Sequence, residues 1–207
     1  MLLDEQGKLK KIRGGAMVNN HYNTKDDTVS KRKDRNQEEK RKIAKYAASL
    51  IEPNDFVYLD AGTTTEQMID YLTEPNVVFV TNAVGHAKRL SERGYTTYIL
   101  GGEFKATTEA IVGEEAMESL KKYNFTKGFW GTNGVSLTGG FSTPDVKEAM
   151  IKRASMESCA ECYVLCDPSK FSQVSCVKFA DFANADIIST KVTDEEYAKC
   201  SNILEVS

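Results

Sequence analysis

Along this chain, apolar residues gather in short consecutive runs rather than in alternation. The runs fall at 56–60, 77–81, 96–100, 128–131, 163–166, 186–189 and 203–206, and they favour β-branched and aromatic side chains. Runs of this length and make-up are expected of strands covered on both faces. Between them lie segments with the three-to-four-residue spacing of helices, at 66–72, 85–93, 114–123 and 146–158, and Thr193 with Glu196 forms a capping box that predicts one more. Upstream, "EEKRKIAKYAASLI" places Ile43, Ala47, Leu50 and Ile51 on one helical face, which is expected to pack on the sheet. The alternation predicts an α/β fold, a mainly parallel sheet with helices on both faces. Residues 17–30 are polar and aperiodic and read as linker. The first sixteen read as a helix end, a glycine stop and a short basic extended piece closed by Gly14 and Gly15. The expected division is thus 1–16, a linker at 17–36, and a body at 37–207.

In an open parallel sheet, ligands collect beyond the carboxyl ends of the strands, where loops and helix N-termini converge. Along that edge the sequence is polar or glycine-rich each time an apolar run stops: Asp60-Ala61-Gly62-Thr63-Thr64-Thr65, then Thr81-Asn82, then Gly101-Gly102-Glu103, then "GTNG" and "TGGFSTPD", then Asp167-Pro168-Ser169-Lys170. Gly62 lets backbone approach an anion, the threonines supply N–H and hydroxyl donors, and Lys170 adds a full positive charge. One such loop is compatible with plain turn chemistry. Five on one edge point to a ligand site.

Composition narrows the classes. The chain has 207 residues, 41% hydrophobic and 28% charged, which suits one main globular domain. No apolar run is long enough to span a bilayer and the N-terminus has no signal-peptide pattern, so a cytoplasmic protein without membrane partners is expected. The net charge of −3 hides an asymmetry: residues 1–45 hold thirteen Lys and Arg against seven acids. A basic arm that meets a polyanion fits this, and so does a solvated helix face in "KRKDRNQEEKRK". The five cysteines are odd in number and crowded into the last third, which is not a secreted disulfide framework. "CAEC" has Cys-x-x-Cys spacing, but no second pair or nearby histidine completes a tetrahedral zinc shell; the plainer reading, small side chains at a helix end and in a buried strand, is preferred, with no metal or cofactor expected.

An isomerase or deaminase acting on a sugar phosphate needs a carboxylate or histidine beside the reacting carbon, with a second acid to move protons. Asp60, Asp145, Glu148 and Asp167 are candidates, and an enzyme using Glu148 and Asp145 is the alternative to a sensor. His86 reads as exposed or capping. Asn133 stands where a base would be useful, and an amide cannot take a proton near neutral pH. The pattern looks more like a binder than a catalyst.

The blocks "LDAGTTT", "TNAVGHA", "LGGEFKATTEAIVG", "GTNGVSLTGGFSTPD", "EAMIKRA" and "DPSKF", in this order, resemble the effector domain of DeoR-family bacterial transcriptional repressors. "GKLKKIRGGA" resembles the end of that family's winged helix-turn-helix. The resemblance implies a fold shared with ribose-5-phosphate isomerase and glucosamine-6-phosphate deaminase, no catalysis, and a role in which a sugar phosphate binds the body and releases DNA. It further implies a phosphate on Gly62, Thr63, Thr64, Thr65 and Lys170, and a sugar against Asp60, Asn82, Asn133, Asp145, Glu148 and Lys152. Lys8, Lys10, Lys11 and Arg13 would contact DNA, with operator recognition confined to the full-length protein, as a homo-oligomer. "KATTEAIVG" with "GFSTPDVKEAMIKR" looks closest to regulators of fructose-phosphotransferase operons, which implies fructose 1-phosphate. The family's N-terminal module of ~50 residues is almost wholly absent ahead of these blocks, so a truncated product or a start upstream of Met1 is expected.

Overall fold

The computed structural model describes residues 9–12, 15–18, 21, 22, 24 and 26–207. Its centre is a sheet of seven parallel strands: β1 (Phe56–Leu59), β2 (Val78–Thr81), β3 (Thr96–Ile99), β4 (Phe125–Gly131), β5 (Cys159–Leu165), β6 (Asp186–Ser189) and β7 (Ile203–Glu205), in the spatial order β7-β6-β5-β4-β1-β2-β3. All seven apolar runs are therefore strands. The helices are α1 (Val29–Lys33), α2 (Gln37–Ser49), α3 (Thr63–Met68), α4 (Val84–Glu92), α5 (Glu114–Leu120) and α6 (Val146–Glu157).

Side chains alternate across the sheet and build two cores. Val57, Leu59, Phe79, Phe129, Leu165 and Ile188 pack under α2, α3 and α4 with Ile43, Ala47, Met68 and Leu90. Tyr58, Val80, Trp130, Val164 and Ile187 face the other way, against Ala116 and Leu120 of α5 and Ala149 and Ile151 of α6. Both faces being covered explains the consecutive apolar runs. In β4 the Trp130 indole lies across Gly128, where an added Cβ would come within 2.2 Å of the ring, and its N–H donates to Ser155 Oγ of α6 at 2.9 Å.

Several expectations need correction. No helix starts at Thr193: the Glu196 N–H donates to Asp194 Oδ1, and a single 3-10 turn at Tyr197–Lys199 follows. Tyr197 is buried, with its hydroxyl bonded to Val135 O at 3.2 Å, and the chain must then turn into β7. "GGEFKATTEAIV", of which Gly101-Gly102-Glu103 reads as loop and the rest is given no element, holds an antiparallel hairpin of Glu103–Lys105 with Ala110–Val112. "GVSLTGGFSTPD" contributes Gly134–Ser136 and Gly140–Thr143 to a small antiparallel sheet completed by Val177–Ala180. Gly140 makes that sheet possible, with φ 66° and a Cβ position 2.1 Å from Ala180 O.

Before the body, Leu9–Ile12 pairs antiparallel with Gly15–Val18, and His21–Tyr22 pairs parallel with Gln173–Val174. The stretch read as linker, 17–36, includes α1, whose Val29 is buried. Among the described residues, no helix is long and apolar enough to cross a membrane.

Candidate functional site

The chain runs out from β1 through β2 to β3, then returns to set β4 on the other side of β1. This is the sheet's topological switch point, where the loops leaving β1 and β4 diverge and open a crevice. A pocket lies there. Its floor and one wall are Ala61, Gly62, Thr63 and Thr64 after β1, Gly131, Thr132 and Asn133 after β4, and Asp167, Ser169 and Lys170 after β5, with Thr108, Glu148 and Lys152 at the side. Its second wall is Asp27, Arg32, Arg35, Asn36 and Lys40.

Of the residues expected to meet a ligand, Gly62, Thr63, Thr64, Asn133, Glu148, Lys152 and Lys170 line the pocket, and Asp60, Thr65, Asn82 and Asp145 do not. Each of these four is engaged behind the wall. Asp60, 1% exposed, pairs with the Lys152 ammonium and accepts the Gly131 N–H at 3.2 Å. Burial pushes the Asp60 carboxyl up, and Lys152 pulls against it. Asn82 uses its carbonyl on the Ala61 N–H at 2.8 Å and its amide on Ile111 O, so it shapes the loop after β1. The Thr65 hydroxyl reaches Asp60 O at 2.7 Å and Gly62 O at 2.9 Å. Asp145 caps α6 by accepting the Glu148 N–H at 2.9 Å and pairs with Lys105 at 3.1 Å. Burial raises its carboxyl, but the Glu148 N–H and the Lys105 ammonium outweigh that and hold it below the usual range.

His86, expected exposed or at a cap, is buried. Its Nε2 lies 3.1 Å from Thr65 Oγ1, whose proton is already directed at carbonyls, so Nε2–H is the donor. Burial, with Arg89 nearby, lowers its pKa to about 3 and keeps it neutral. Glu148 accepts from Thr108 Oγ1, from Thr143 Oγ1 at 3.4 Å and from Lys105 Nζ at 3.1 Å. Lys105 also meets Asp26 at 2.7 Å; burial lowers its pKa, and these three carboxylates more than reverse that.

Sequence reasoning missed Arg32, Arg35 and Lys40: it counted all three in the basic N-terminal stretch, and set Lys40 on the helix packed against the sheet without giving it a place in the site. Lys40 is 4% exposed and donates to Arg32 O. Burial, followed by Lys170, Arg32 and Arg35, brings its pKa down to about 8, against an upward pull from Asp167. Arg32 Nε is buried and finds no hydrogen-bond partner among the described residues, and Lys170 makes no ion pair among them. The one available signal was Lys40 in the first turn of an amphipathic helix that packs beside β1.

Of the residues expected at DNA, Lys8 and Arg13 lie outside the described residues, and Lys10 and Lys11 lie on the strand Leu9–Ile12. Cys159 and Cys162 sit at the start of β5, the end away from the pocket, partly packed against the core. Among the described residues no group of His, Cys, Asp and Glu could hold a metal ion.

The DeoR C-terminal sensor domain matches residues 35–195 of this chain. The chain belongs to the DeoR family. This DeoR-family chain is 42% identical over 189 residues to a protein named as an uncharacterized HTH-type transcriptional regulator FruR of Bacillus subtilis (strain 168), covering 91% of this chain and 75% of that one. It is 34% identical to the HTH-type transcriptional regulator IolR of the same organism, over 97% of this chain and 80% of that one. It is 32% identical to the lactose phosphotransferase system repressor of Staphylococcus aureus (strain NCTC 8325 / PS 47), over 94% and 78%. Among solved structures, ribose 5-phosphate isomerase A of Methanocaldococcus jannaschii matches 66% of this chain and 55% of that one at TM-score 0.47 and 18% identity. A probable sor operon regulator from Shigella flexneri matches 82% and 84% at 0.46 and 9%.

Proposed function

We propose that this chain is the effector-binding part of a DeoR-family repressor of a sugar operon, and that a phosphorylated sugar entering the switch-point pocket releases DNA. The observation that carries this is the charge of the pocket: five cations, Arg32, Arg35, Lys40, Lys152 and Lys170, line it against three acids, Asp27, Glu148 and Asp167, of which Asp27 is paired with Arg35 and Glu148 with Lys105. Cations drawn from water need an anion partner, and a phosphate dianion supplies two charges and several acceptor oxygens at once. The phosphate would rest among Lys170, Lys40, Arg32 and the Gly62-Thr63-Thr64 backbone, with the sugar toward Asn133, Glu148 and Lys152. Fructose 1-phosphate is the ligand we favour, from the relative named FruR.

The isomerase alternative needs two free acids at the reacting carbon. Asp145 is turned away as a helix cap bonded to Lys105, and Glu148 is engaged by Thr108, Thr143 and Lys105. A thermal-shift series with sugar phosphates tests the proposal, since a ligand at 100 times its dissociation constant stabilises the fold by ~2.7 kcal/mol. Lys170→Ala removes a charge-assisted contact of ~1.5–3 kcal/mol and is expected to weaken the ligand by about one to two orders of magnitude, with unphosphorylated fructose giving no shift in either form. Turnover of a sugar phosphate by the purified chain, lost in Glu148→Gln, would overturn the sensor reading.

A further inference from the structure

The segment leading into the sensor body, residues 26–36, forms one side of the pocket while being held by contacts that are individually weak. Asp26 pairs with Lys105 at 2.7 Å, Lys33 with Glu66 at 3.0 Å, and the Val29 N–H donates to Thr107 O at 3.2 Å. Asn36 Nδ2 donates to Asp167 Oδ1 at 2.7 Å. Val29 is its only fully buried apolar side chain. The Lys33–Glu66 pair, with its lysine largely exposed, contributes little to holding the segment down, and the part-buried Asp26–Lys105 pair is the stronger of the two.

Against these contacts stands repulsion that docking itself creates. With the segment down, Arg32 and Arg35 join Lys40 and Lys170 around one cavity, and Arg32 Nε is buried without a hydrogen-bond partner among the described residues. Asp167 Oδ1 already accepts from Asn36 and from the Ser169 N–H and hydroxyl. Asp27 is paired with Arg35 at 2.6 Å. Lifting the segment would return Arg32 to water and carry Arg35, already exposed, away from the other cations; a dianion in the cavity would convert the same cluster from repulsion to attraction. The pivot is Asn36, which joins α1 to α2 at φ 51°, a left-handed conformation that asparagine tolerates.

We propose that Arg35 and Asn36 are effector-site residues, and that a phosphomonoester dianion bound between them and Lys170 fastens residues 26–36 to the sensor body. Ligand binding and docking of the segment are then one equilibrium. This deepens the reading of the pocket as a sugar-phosphate site and rests on it. Linkage follows: whatever raises the segment lowers ligand affinity by the same factor, and the reverse. The segment lies on the path from the Leu9–Ile12 hairpin to the sensor, so its position is the route by which an occupied pocket reaches the N-terminal part.

The test uses the whole 207-residue chain with fructose 1-phosphate, inorganic phosphate, or fructose as the uncharged control. Binding is read by calorimetry. Docking is read by trypsin cleavage after Lys31, Arg32, Lys33 and Arg35 and by hydrogen exchange at the Val29 amide, which bonds to Thr107 and not to the pocket. Saturating fructose 1-phosphate is expected to slow cleavage and Val29 exchange by about tenfold or more, in the regime where both follow the open population. Asn36→Ala is expected to speed both without ligand and to weaken binding by a matching factor, and Arg35→Gln to weaken binding of both phosphates. Calorimetric binding with cleavage and exchange unchanged would sink the fastening and leave the sugar-phosphate site standing. No binding of either phosphate would sink both.

Discussion

At the scale of single residues, the pocket is governed by what surrounds each ionisable group, and Lys40 shows it best. Its folded pKa of about 8 lies below the unfolded lysine value of ~10.4. The unfolded chain therefore holds a proton in that window that the folded one has lost. The destabilisation from this group is full below about pH 8 and is relieved as pH rises toward ~10.4, so wild type should gain stability relative to Lys40→Met between ~pH 7.5 and ~pH 9.5. Urea unfolding of the pair at both pH values checks the sign. A bound dianion favours the ammonium, so affinity should fall as pH climbs through 8 in wild type and stay flatter in Lys40→Met. None of this was legible in the sequence. "KRKDRNQEEKRK" shows a basic run, and only the approach of α2 to the loop after β5 tells which of its cations is buried. Asp60 and Asn82 were legible as belonging to this edge of the sheet; their use in holding loops rather than facing the cavity depends on Lys152 and Ala61, partners distant in the chain.

At the scale of elements, the apolar runs located all seven strands, because a strand covered on both faces needs apolar residues on consecutive positions. The antiparallel pieces escaped for the opposite reason. Glu103–Lys105 and Gly140–Thr143 are short, with glycines and polar residues that read as loop; the first pairs locally with Ala110–Val112, and the second also pairs with the distant Val177–Ala180. The capping box at Thr193 was misleading because local capping chemistry gave way to burial of Tyr197. β4 carries a feature that composition could not reveal: Gly128 is small because Trp130 folds over it. Gly128→Ala should push the indole away from Ser155 and destabilise the fold by about 1–3 kcal/mol, the usual range for overpacking. Chemical denaturation with Trp130 fluorescence as the probe measures it; an unchanged midpoint would show that the ring can move freely.

At the scale of the whole molecule, a DeoR sensor domain at 35–195 follows a stretch rich in Lys and Arg, and we propose that the two meet different anions. Our expectation is that this chain binds DNA weakly and without sequence preference, through Lys8, Lys10, Lys11 and Arg13. Each phosphate contact should add about −0.9 to the slope of log affinity against log salt, so binding should fade steeply with salt. Salt-resistant nanomolar binding to one operator by these 207 residues would contradict it. The relatives named FruR, IolR and lactose phosphotransferase system repressor are 32–42% identical to this chain. Because the pocket is built from loops at strand ends, its ligand can change by loop substitution while the two cores stay as they are.

The switch point also sets a timetable for the nascent chain. Asp60 and Gly131 are 71 residues apart, and Asn36 and Asp167 131 apart, so the pocket's halves are made separately and meet late. At ~5–20 residues per second of synthesis, the loop after β1 waits some seconds for β4 and longer for Lys170. Through that interval no sugar phosphate can act as a template, and β1 and β2 must keep their apolar edges from other chains unaided. If the proposed effector binds here, it can influence only the last step of maturation, by trapping chains that have already closed the sheet.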